Sequence, residues 1–266
     1  QALRAALLLG GVGWLSYRGA GAAALPQVLF WTEAVLFVVL LPVTLLHWKP
    51  FATAGLKAAL GENFRFGNKA LTGNLLLDVN TRVDVFIIGL FLSESMVGLY
   101  SFAATVAEGV LQLTVLLRNN INPVITRAWH SGGAGLLERV VVRNRKAFFR
   151  LLAPLIGVSI VLFPLGLWIL GMREEPMAVW GVYAILAGGV ALTAGYQAFM
   201  QLFTQLGRPG TQTVFIFLYC LSNLLLNLLL VPLWGIHGSA LATCLSFFVL
   251  VYLLKTLARR TFQVSI

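Results

Sequence analysis

Four polar side chains lie within two helical turns of an otherwise apolar stretch, NKALTGNLLLDVNTRVDVFIIGLFL. They are Asp78, Asn80, Arg82 and Asp84. Charged groups are costly at membrane depth, so they usually face a partner or a water-filled cavity. A guanidinium in such a cavity can meet a phosphate, and a nearby carboxylate can tune its charge or bind a coupling ion. This stretch is therefore the first candidate for a binding site.

The spacing of these residues divides them between two helical surfaces. Asp78 and Arg82 are four residues apart, which places both on one face where they can pair. Asp84 projects about 120° away from Asp78 at roughly 100° per residue, so it serves a different surface. Glu108 lies in the next apolar run, at a depth similar to that of Arg82 if each residue adds about 1.5 Å. We predict that Arg82 and Glu108 approach each other between neighbouring helices, directly or through water.

Two interpretations of this charged group stay open. In the functional one, Arg82 contacts a phosphate while Asp78, Asp84 or Glu108 tunes its charge or binds a coupling ion. In the structural one, the same residues form a buried ion network. Glu33, in the middle of the apolar run FWTEAVLF, is either a further residue for ion coupling or a hydrogen-bonded structural carboxyl.

The sequence offers little for enzymatic or metal chemistry. It contains no P-loop pattern, no HExxH, no CxxC pair and no nucleophile elbow. Cys220 and Cys244 fall inside apolar runs and imply neither a disulfide framework nor a metal site. None of His47, His130 and His237 has a second histidine at metal-ligand spacing. We therefore expect no enzyme, no cofactor and no metal.

The elements that carry these residues follow from composition. Hydrophobic residues make up 59% of the 266 residues and charged residues 11%, against about 45–50% and 25% in soluble domains. About eight apolar runs are long enough for a bilayer core of about 30 Å, and they lack the short alternation of a β-barrel. We predict an all-α, polytopic membrane protein. The predicted spans are about 2–17, 25–47, 68–92, 96–118, 147–171, 177–204, 211–232 and 236–256.

The net charge of +10 has a simpler account than nucleic-acid binding. If the loops alternate sides, sixteen of the 19 Lys and Arg residues lie on one side, Arg18 and Arg173 on the other, and Arg82 within a span. This asymmetry follows the positive-inside rule, so we place both chain ends in the cytoplasm and expect no nucleic acid partner. The densest cluster, Arg139 to Arg150, is typical of a helix lying on an anionic membrane surface.

The connections between the spans divide the chain. Two helices are followed by a polar segment of about twenty residues and then by six helices with mainly short connections. Asn223 and Asn227, four apart on one face, either line a route or bond neighbouring helices. We predict residues 1–48 as the last two helices of a truncated amino-terminal bundle, 49–67 as a cytoplasmic linker, 68–258 as a carboxy-terminal six-helix bundle and 259–266 as a cytoplasmic tail.

Two stretches resemble a known family. They are RVDVFIIGLFLSESMVGLYSFAATVAEGVLQLTVLLRNNINPVITR, with its VGxYSxA element and later proline, and NLLLNLLLVPLWGIHGSALAT. Both are similar to the oligosaccharide and O-antigen flippases (Wzx-like) of the multidrug/oligosaccharidyl-lipid/polysaccharide exporter superfamily. The resemblance covers about residues 50–256. It implies a parent of about twelve to fourteen helices in two bundles, of which this chain holds the last two helices of the first and all six of the second.

The resemblance also implies a function. Such proteins move undecaprenyl-diphosphate-linked repeat units of O-antigen or exopolysaccharide across the bacterial inner membrane by alternating access. Carried onto this sequence, Arg82 contacts the diphosphate or an acidic sugar, with Asp78, Asn80, Asp84 and Glu108 beside it. Implied partners are the lipid-linked oligosaccharide, membrane lipids, a coupling proton or sodium ion, and the polysaccharide polymerase and chain-length machinery.

Other hypotheses compete with this one. A drug/cation antiporter of the same superfamily (MATE-like) would favour acidic cavity residues over an exposed Arg82. A membrane-embedded polymerase or glycosyltransferase would need a catalytic carboxylate or a nucleotide-sugar site, commonly supported by a sizeable loop. No loop predicted in this chain is long enough to form a domain. A noncatalytic scaffold would give no reason for charges in mid-membrane.

Overall fold

The computed structural model describes residues 2–19, 25–47, 56–172 and 175–266, which form helices and no strands. The predicted all-α class is therefore confirmed. In chain order, the helices are α1 (Ala2–Tyr17), α2 (Leu25–His47), α3 (Leu56–Phe91), α4 (Glu94–Ile169), α5 (Pro176–Gln197), α6 (Leu202–Gln205) and α7 (Pro209–Phe262).

The chain divides into two compact units, Gln1–Gly61 and Glu62–Ile266. In the first unit α1 packs against α2 where Gly11 meets Val28. A Cβ on Gly11 would collide with the Val28 side chain, so the glycine allows the two helices to approach closely. The second unit holds most of the buried apolar residues and all of the polar cavity described below.

Two of the long helices each contain a sharp turn. Gly133 in α4 has φ 58° and ψ −150°, and Gly235 in α7 has φ 57° and ψ −136°, backbone conformations that are essentially confined to glycine. Across the turn at Gly235, Ser239 donates to Asn227 at 2.6 Å, so the two halves of α7 are antiparallel neighbours. Counting each half separately, the described residues form eight long helical segments, as the apolar runs predicted.

In the second unit, α3 lies between α4 and α7. The thiol of Cys220 donates to the carbonyl oxygen of Leu76, and Asn223 donates to Asn80 further along both helices. The helix α3 is therefore parallel to the first half of α7. A two-residue turn joins α3 to α4, and the two helices are antiparallel. Asn80 is thereby level with the middle of the first half of α7.

The remaining core is built around α5. The indole of Trp180 donates to the carbonyl oxygen of Ile160, and Arg145 donates to Tyr196, so α5 is antiparallel to the second half of α4. Residues of α5 with higher numbers contact residues with higher numbers in the second half of α7. These two helices are therefore parallel. These directions require α4 to reverse at Gly133. One end of the unit therefore carries Gly133 and the other carries Gly235.

The described helices suit a bilayer. Four segments are long and apolar enough to cross a membrane by length and composition: Leu25–Leu46, Glu94–Ile169, Pro176–Gln205 and Pro209–Phe262. The helix α3 is not in that set because of its charged residues. Large apolar side chains such as Leu165, Trp168 and Leu229 are exposed on the outer surface of the second unit. An apolar exterior around a partly polar interior is the pattern of a membrane bundle.

The segment between the predicted spans at 118 and 147 differs from the prediction. Instead of a separate surface helix at Arg139 to Arg150, the chain stays helical to the turn at Gly133 and from there to Ile169. Ile121, Ile125 and Leu137 are buried in the core along this stretch. Because these residues are buried, the two halves of α4 are longer than the apolar runs. The basic cluster of Arg139 to Arg150 is part of the same helix as the span that follows it.

Two further boundaries differ from the prediction. The helix α3 begins at Leu56, so residues 56–67 of the expected linker are helical, while 49–55 lie outside the described residues. The expected tail is still helical up to Phe262, and Val264 and Ile266 then pack into the core. These two side chains are apolar, and burying them removes their surface from water.

Candidate functional site

A short hydrogen bond joins α3 to α4 inside the second unit. The hydroxyl of Tyr100 donates to Oδ2 of Asp84 at 2.5 Å, and the backbone N–H of Val85 donates to Oδ1 at 2.9 Å. Tyr100 is fully buried and Asp84 is half-buried. Both carboxyl oxygens of Asp84 are therefore held in place by donors.

A chain of amides continues from α3 into α7. Asn223 donates to Oδ1 of Asn80 at 3.2 Å, and Asn227 donates to Oδ1 of Asn223 at 3.0 Å. Ser239, on the other half of α7, donates to Asn227 at 2.6 Å. All four side chains are buried, and buried polar groups need such partners. The two asparagines of α7 therefore bond neighbouring helices, as one of the two interpretations of their spacing proposed.

Beside these bonds lies a cavity of about 110 Å³ between α3, α4, α5 and α7. Glu108 and Thr81 are exposed, so the cavity opens to the surface of the second unit. The polar lining residues are Asn80, Thr81, Asp84, Glu108, Tyr219, Asn223 and Thr243, and the apolar ones are Ala104, Ala107, Leu111, Leu186, Val190 and Phe247. The cavity thus combines two carboxyl groups with amide and hydroxyl oxygens in an apolar bundle.

Oxygen ligands of this kind suit a proton or a hard cation. Asp84 and Glu108 can carry a proton or a negative charge, and Asn80 and Thr81 add neutral oxygens. Within the described ranges, no group of three His, Cys, Asp or Glu side chains is close enough to hold a metal ion. The arrangement can therefore exchange a proton or hold a weakly bound cation.

Three of the five predicted cavity residues, Asn80, Asp84 and Glu108, meet at this cavity, whereas Arg82 and Asp78 do not line it. Both of these are exposed on α3, and in the described part of the chain the single side-chain ion pair lies elsewhere. Arg82 therefore forms no direct ion pair with Glu108 or with Asp78, and an approach of Arg82 to Glu108 through water stays a prediction.

The register of the two helices explains the missing contact with Glu108. The bond from Tyr100 to Asp84 centres the turn near Leu92, so Arg82 lies roughly opposite Phe102. Glu108 is six residues further along α4, about 9 Å at 1.5 Å per residue. Equal depth of Arg82 and Glu108, as predicted from the sequence, would require the centre of the turn about three residues later.

Glu33 belongs to the first unit and has a partner there. Its Oε1 lies 2.5 Å from Nη2 of Arg4, joining α2 to α1. The two side chains are about half exposed, at 55% and 49%. A carboxylate in an apolar helix is thus neutralised by a cation from the neighbouring helix.

Sequence reasoning missed several residues of the site, above all Tyr100, Tyr219 and Thr243. Tyr100 follows the turn at Leu92 by as many residues as Asp84 precedes it, a relation that requires the exact register of the two helices. Thr243 lies in the small-residue run GIHGSALAT, where small side chains usually serve the close packing of membrane helices, so it carried no signal for a site. Tyr219 lies beside Asn80 and had no signal apart from its polar atom within an apolar run.

Fold and site together define the class of this chain: an all-α, polytopic membrane protein with a polar cavity inside one helical bundle. Residues 5–175 match the sequence profile of a family described as "Polysaccharide biosynthesis protein". The chain belongs to that family. The resemblance predicted from the sequence is confirmed at this level.

Curated relatives from Haloferax volcanii give a closer comparison. The chain is 28% identical over 165 residues to a protein named "Probable low-salt glycan biosynthesis flippase Agl15" and 24% identical over 165 residues to "Probable flippase AglR". Each match covers 62% of this chain and 35% of the relative. The chain therefore spans about a third of the length of these relatives. No solved structure matches the chain.

Proposed function

We propose that this protein is a flippase that moves a lipid-linked oligosaccharide across the membrane by alternating access. The family and the names of the two relatives support the general activity. The finer proposal is that the cargo is an undecaprenyl-diphosphate-linked repeat unit of O-antigen or exopolysaccharide, and that the membrane is the bacterial inner membrane. Residues 68–258 then act as one of two bundles that rock against each other.

The observation that carries this proposal is the cavity at mid-height of an apolar bundle. Asp84 and Glu108 line it, and Asn80 is level with the middle of the first half of α7. Ionisable side chains at that depth are expensive and mark ion or substrate pathways. An inert scaffold has no need of them.

The roles of the charged residues follow from their positions. Asp84 and Glu108 bind the coupling ion, a proton or sodium, because their carboxyl groups share the cavity. Arg82 is exposed on α3 without an ion pair among the described residues, and a guanidinium left bare in hydrocarbon would be costly. Arg82 therefore contacts the diphosphate of the cargo, with Asp78 one turn away. Glu33 has a structural role because Arg4 already neutralises it.

The distribution of charge supports an orientation for the second unit. The basic cluster of Arg139 to Arg150 and the pair Arg259 and Arg260 lie toward the end that carries Gly133. By the positive-inside rule this end faces the cytoplasm. The polymerase and chain-length machinery of polysaccharide synthesis are the proposed protein partners.

A second function is favoured by one specific observation. The cavity contains two carboxyl groups and excludes Arg82, which is the arrangement expected of a drug/cation antiporter. Such a protein would exchange an organic cation for a proton or sodium. The family match speaks for polysaccharide synthesis instead, so the flippase remains the first proposal.

Complementation of a deletion strain separates the two functions. The full-length protein, expressed in cells that lack their own repeat-unit flippase, should restore surface polysaccharide, and Asp84→Asn should not. Glu94→Gln is the matched control, because Glu94 is exposed outside the cavity. Resistance to cationic drugs without restored polysaccharide would overturn the flippase and support the antiporter.

A further inference from the structure

A second pocket lies near the Gly133 end of the second unit. It has a volume of about 240 Å³ and lies between α4 and α5. Its lining residues are Arg145, Lys146, Phe149, Arg150, Leu192, Gly195 and Tyr196. Val190 is the last α5 residue that lines the polar cavity described above, and Leu192 and Tyr196 come after it along α5. The two pockets share no lining residue.

Cations converge on the aromatic ring of this pocket. Arg145 Nη1 donates to the hydroxyl of Tyr196 at 3.0 Å, and its guanidinium carbon lies 5.2 Å from the centre of the ring. Lys255 from α7 places Nζ 4.8 Å from the same ring centre. Because Tyr196 accepts a hydrogen bond from Arg145, its own hydroxyl proton remains available to a ligand.

The close approach of α4 and α5 builds this arrangement. Gly195 is buried, and a Cβ there would lie 2.8 Å from the carbonyl oxygen of Arg145. The glycine therefore holds the Arg145 backbone beside Tyr196. Across the residues that the structure describes, the one ion pair joins Arg4 to Glu33, so the cations of the pocket have no carboxylate partner.

The pocket also has an apolar side. Leu192 and Phe149 line it and are exposed, at 61% and 44%. Leu151 and Leu155 continue the exposed apolar surface of α4 beyond the basic cluster. A free phosphate has no use for such a surface, whereas a phospholipid would place its acyl chains along it.

We propose that this pocket binds the phosphate head group of an anionic phospholipid in the leaflet at the Gly133 end. Arg145, Lys146 and Arg150 neutralise the head group, and the Tyr196 hydroxyl donates to a phosphate oxygen. Basic pockets between transmembrane helices are a known means of binding such lipids. This binding does not depend on the cargo that the protein transports.

Native mass spectrometry of the full-length protein tests the site. Phosphatidylglycerol is titrated into the detergent-solubilised protein, and the Kd of the first bound lipid is measured for Arg145→Gln and for Arg150→Gln, two arginines that line the pocket. Each should weaken binding by about fivefold, since one basic residue near an anionic surface contributes on that order. Arg143→Gln, an exposed arginine of the same helix outside the pocket, should change the Kd less than twofold.

Each outcome decides the proposal. If Arg145→Gln does not fold, Arg150→Gln remains informative, because Arg150 lines the pocket and is exposed. Equal losses for Arg143→Gln and the pocket variants would reduce the effect to general surface charge and overturn the site. Equal binding of phosphatidylcholine would do the same. Displacement of the lipid by millimolar inorganic phosphate would identify a free-anion site instead and also overturn the proposal.

Discussion

Tyr100 and Asp84 face each other across the turn between α3 and α4, with 2.5 Å between the hydroxyl and Oδ2. This pair sets the register of the two helices. It also holds Asp84 at the wall of the cavity, where Glu108 lies about two turns further along α4 than Tyr100. The bond between Tyr100 and Asp84 therefore connects the packing of the bundle to the chemistry of its interior.

Removing the hydroxyl of Tyr100 should destabilise the bundle. Tyr100→Phe keeps the buried ring but deprives Asp84 of a donor, a loss of roughly 1–3 kcal/mol. Thermal unfolding of the purified full-length protein should show a lower Tm. The exposed Tyr252 provides the control, since Tyr252→Phe removes a hydroxyl at the lipid-facing surface. Equal Tm values for the two variants would show that the bond to Asp84 contributes nothing to stability.

A methyl group at Gly238 should disrupt the hairpin of α7. Its Cβ would collide with the carbonyl oxygen of Leu230 in the facing half of the helix, which is backbone and cannot move aside. Gly238→Ala should lower Tm, whereas Gly98→Ala, with open space around its Cβ, should leave it unchanged or raise it. A Gly238→Ala protein as stable as the Gly98→Ala protein would contradict the close packing of this hairpin.

Neutralising the cavity carboxyls should remove the ion dependence of transport. Asp84→Asn keeps one oxygen, which can accept from Tyr100 or from the Val85 N–H but not from both as now, and it cannot exchange a proton or pair as an anion with a cation. Glu108→Gln removes the second charge. Transport rates in vesicles with an imposed proton or sodium gradient should fall by about tenfold or more, the scale of losing one proton-transfer group. If both variants still respond to the gradient as the wild type does, the coupling ion binds elsewhere.

Arg82 should matter for cargo and not for folding. Because Arg82 is exposed and lacks an ion pair in the described residues, Arg82→Ala should not lower Tm, and the free energy of unfolding should fall by no more than about 0.5 kcal/mol. Surface polysaccharide in complemented cells should nevertheless fall strongly, and Arg82→Lys should restore part of it by keeping the charge. Normal polysaccharide with Arg82→Ala at normal protein levels would remove Arg82 from the substrate path.

The sequence was sufficient for the helices because their signal is local. Apolar runs of bilayer length predicted the spans, and glycines at 133 and 235 permit the turns that separate them. The long extensions of α4 on either side of Gly133 were not predicted. They depend on residues such as Ile121 and Leu137 being buried against other helices, which a count of apolar runs does not detect.

The site was predicted less completely because it depends on register. Asn80, Asp84 and Glu108 were identified from the cost of polar groups in a membrane, and they share the cavity. Arg82 and Glu108 form no direct ion pair, because a shift of about three residues in the centre of the turn moves a side chain by more than the reach of a salt bridge. Tyr100 was missed because a tyrosine in an apolar run has no charge to draw attention to it.

Flipping by the purified full-length protein in sealed vesicles tests the central claim most directly. A fluorescent lipid-linked oligosaccharide is placed in one leaflet, and its arrival in the other is followed by a membrane-impermeant quencher. The wild type and Glu94→Gln should move the lipid at similar rates, and Asp84→Asn should be at least about tenfold slower. An Asp84→Asn protein that flips the lipid at the wild-type rate, or a wild type that moves organic cations but not the lipid, would contradict the account.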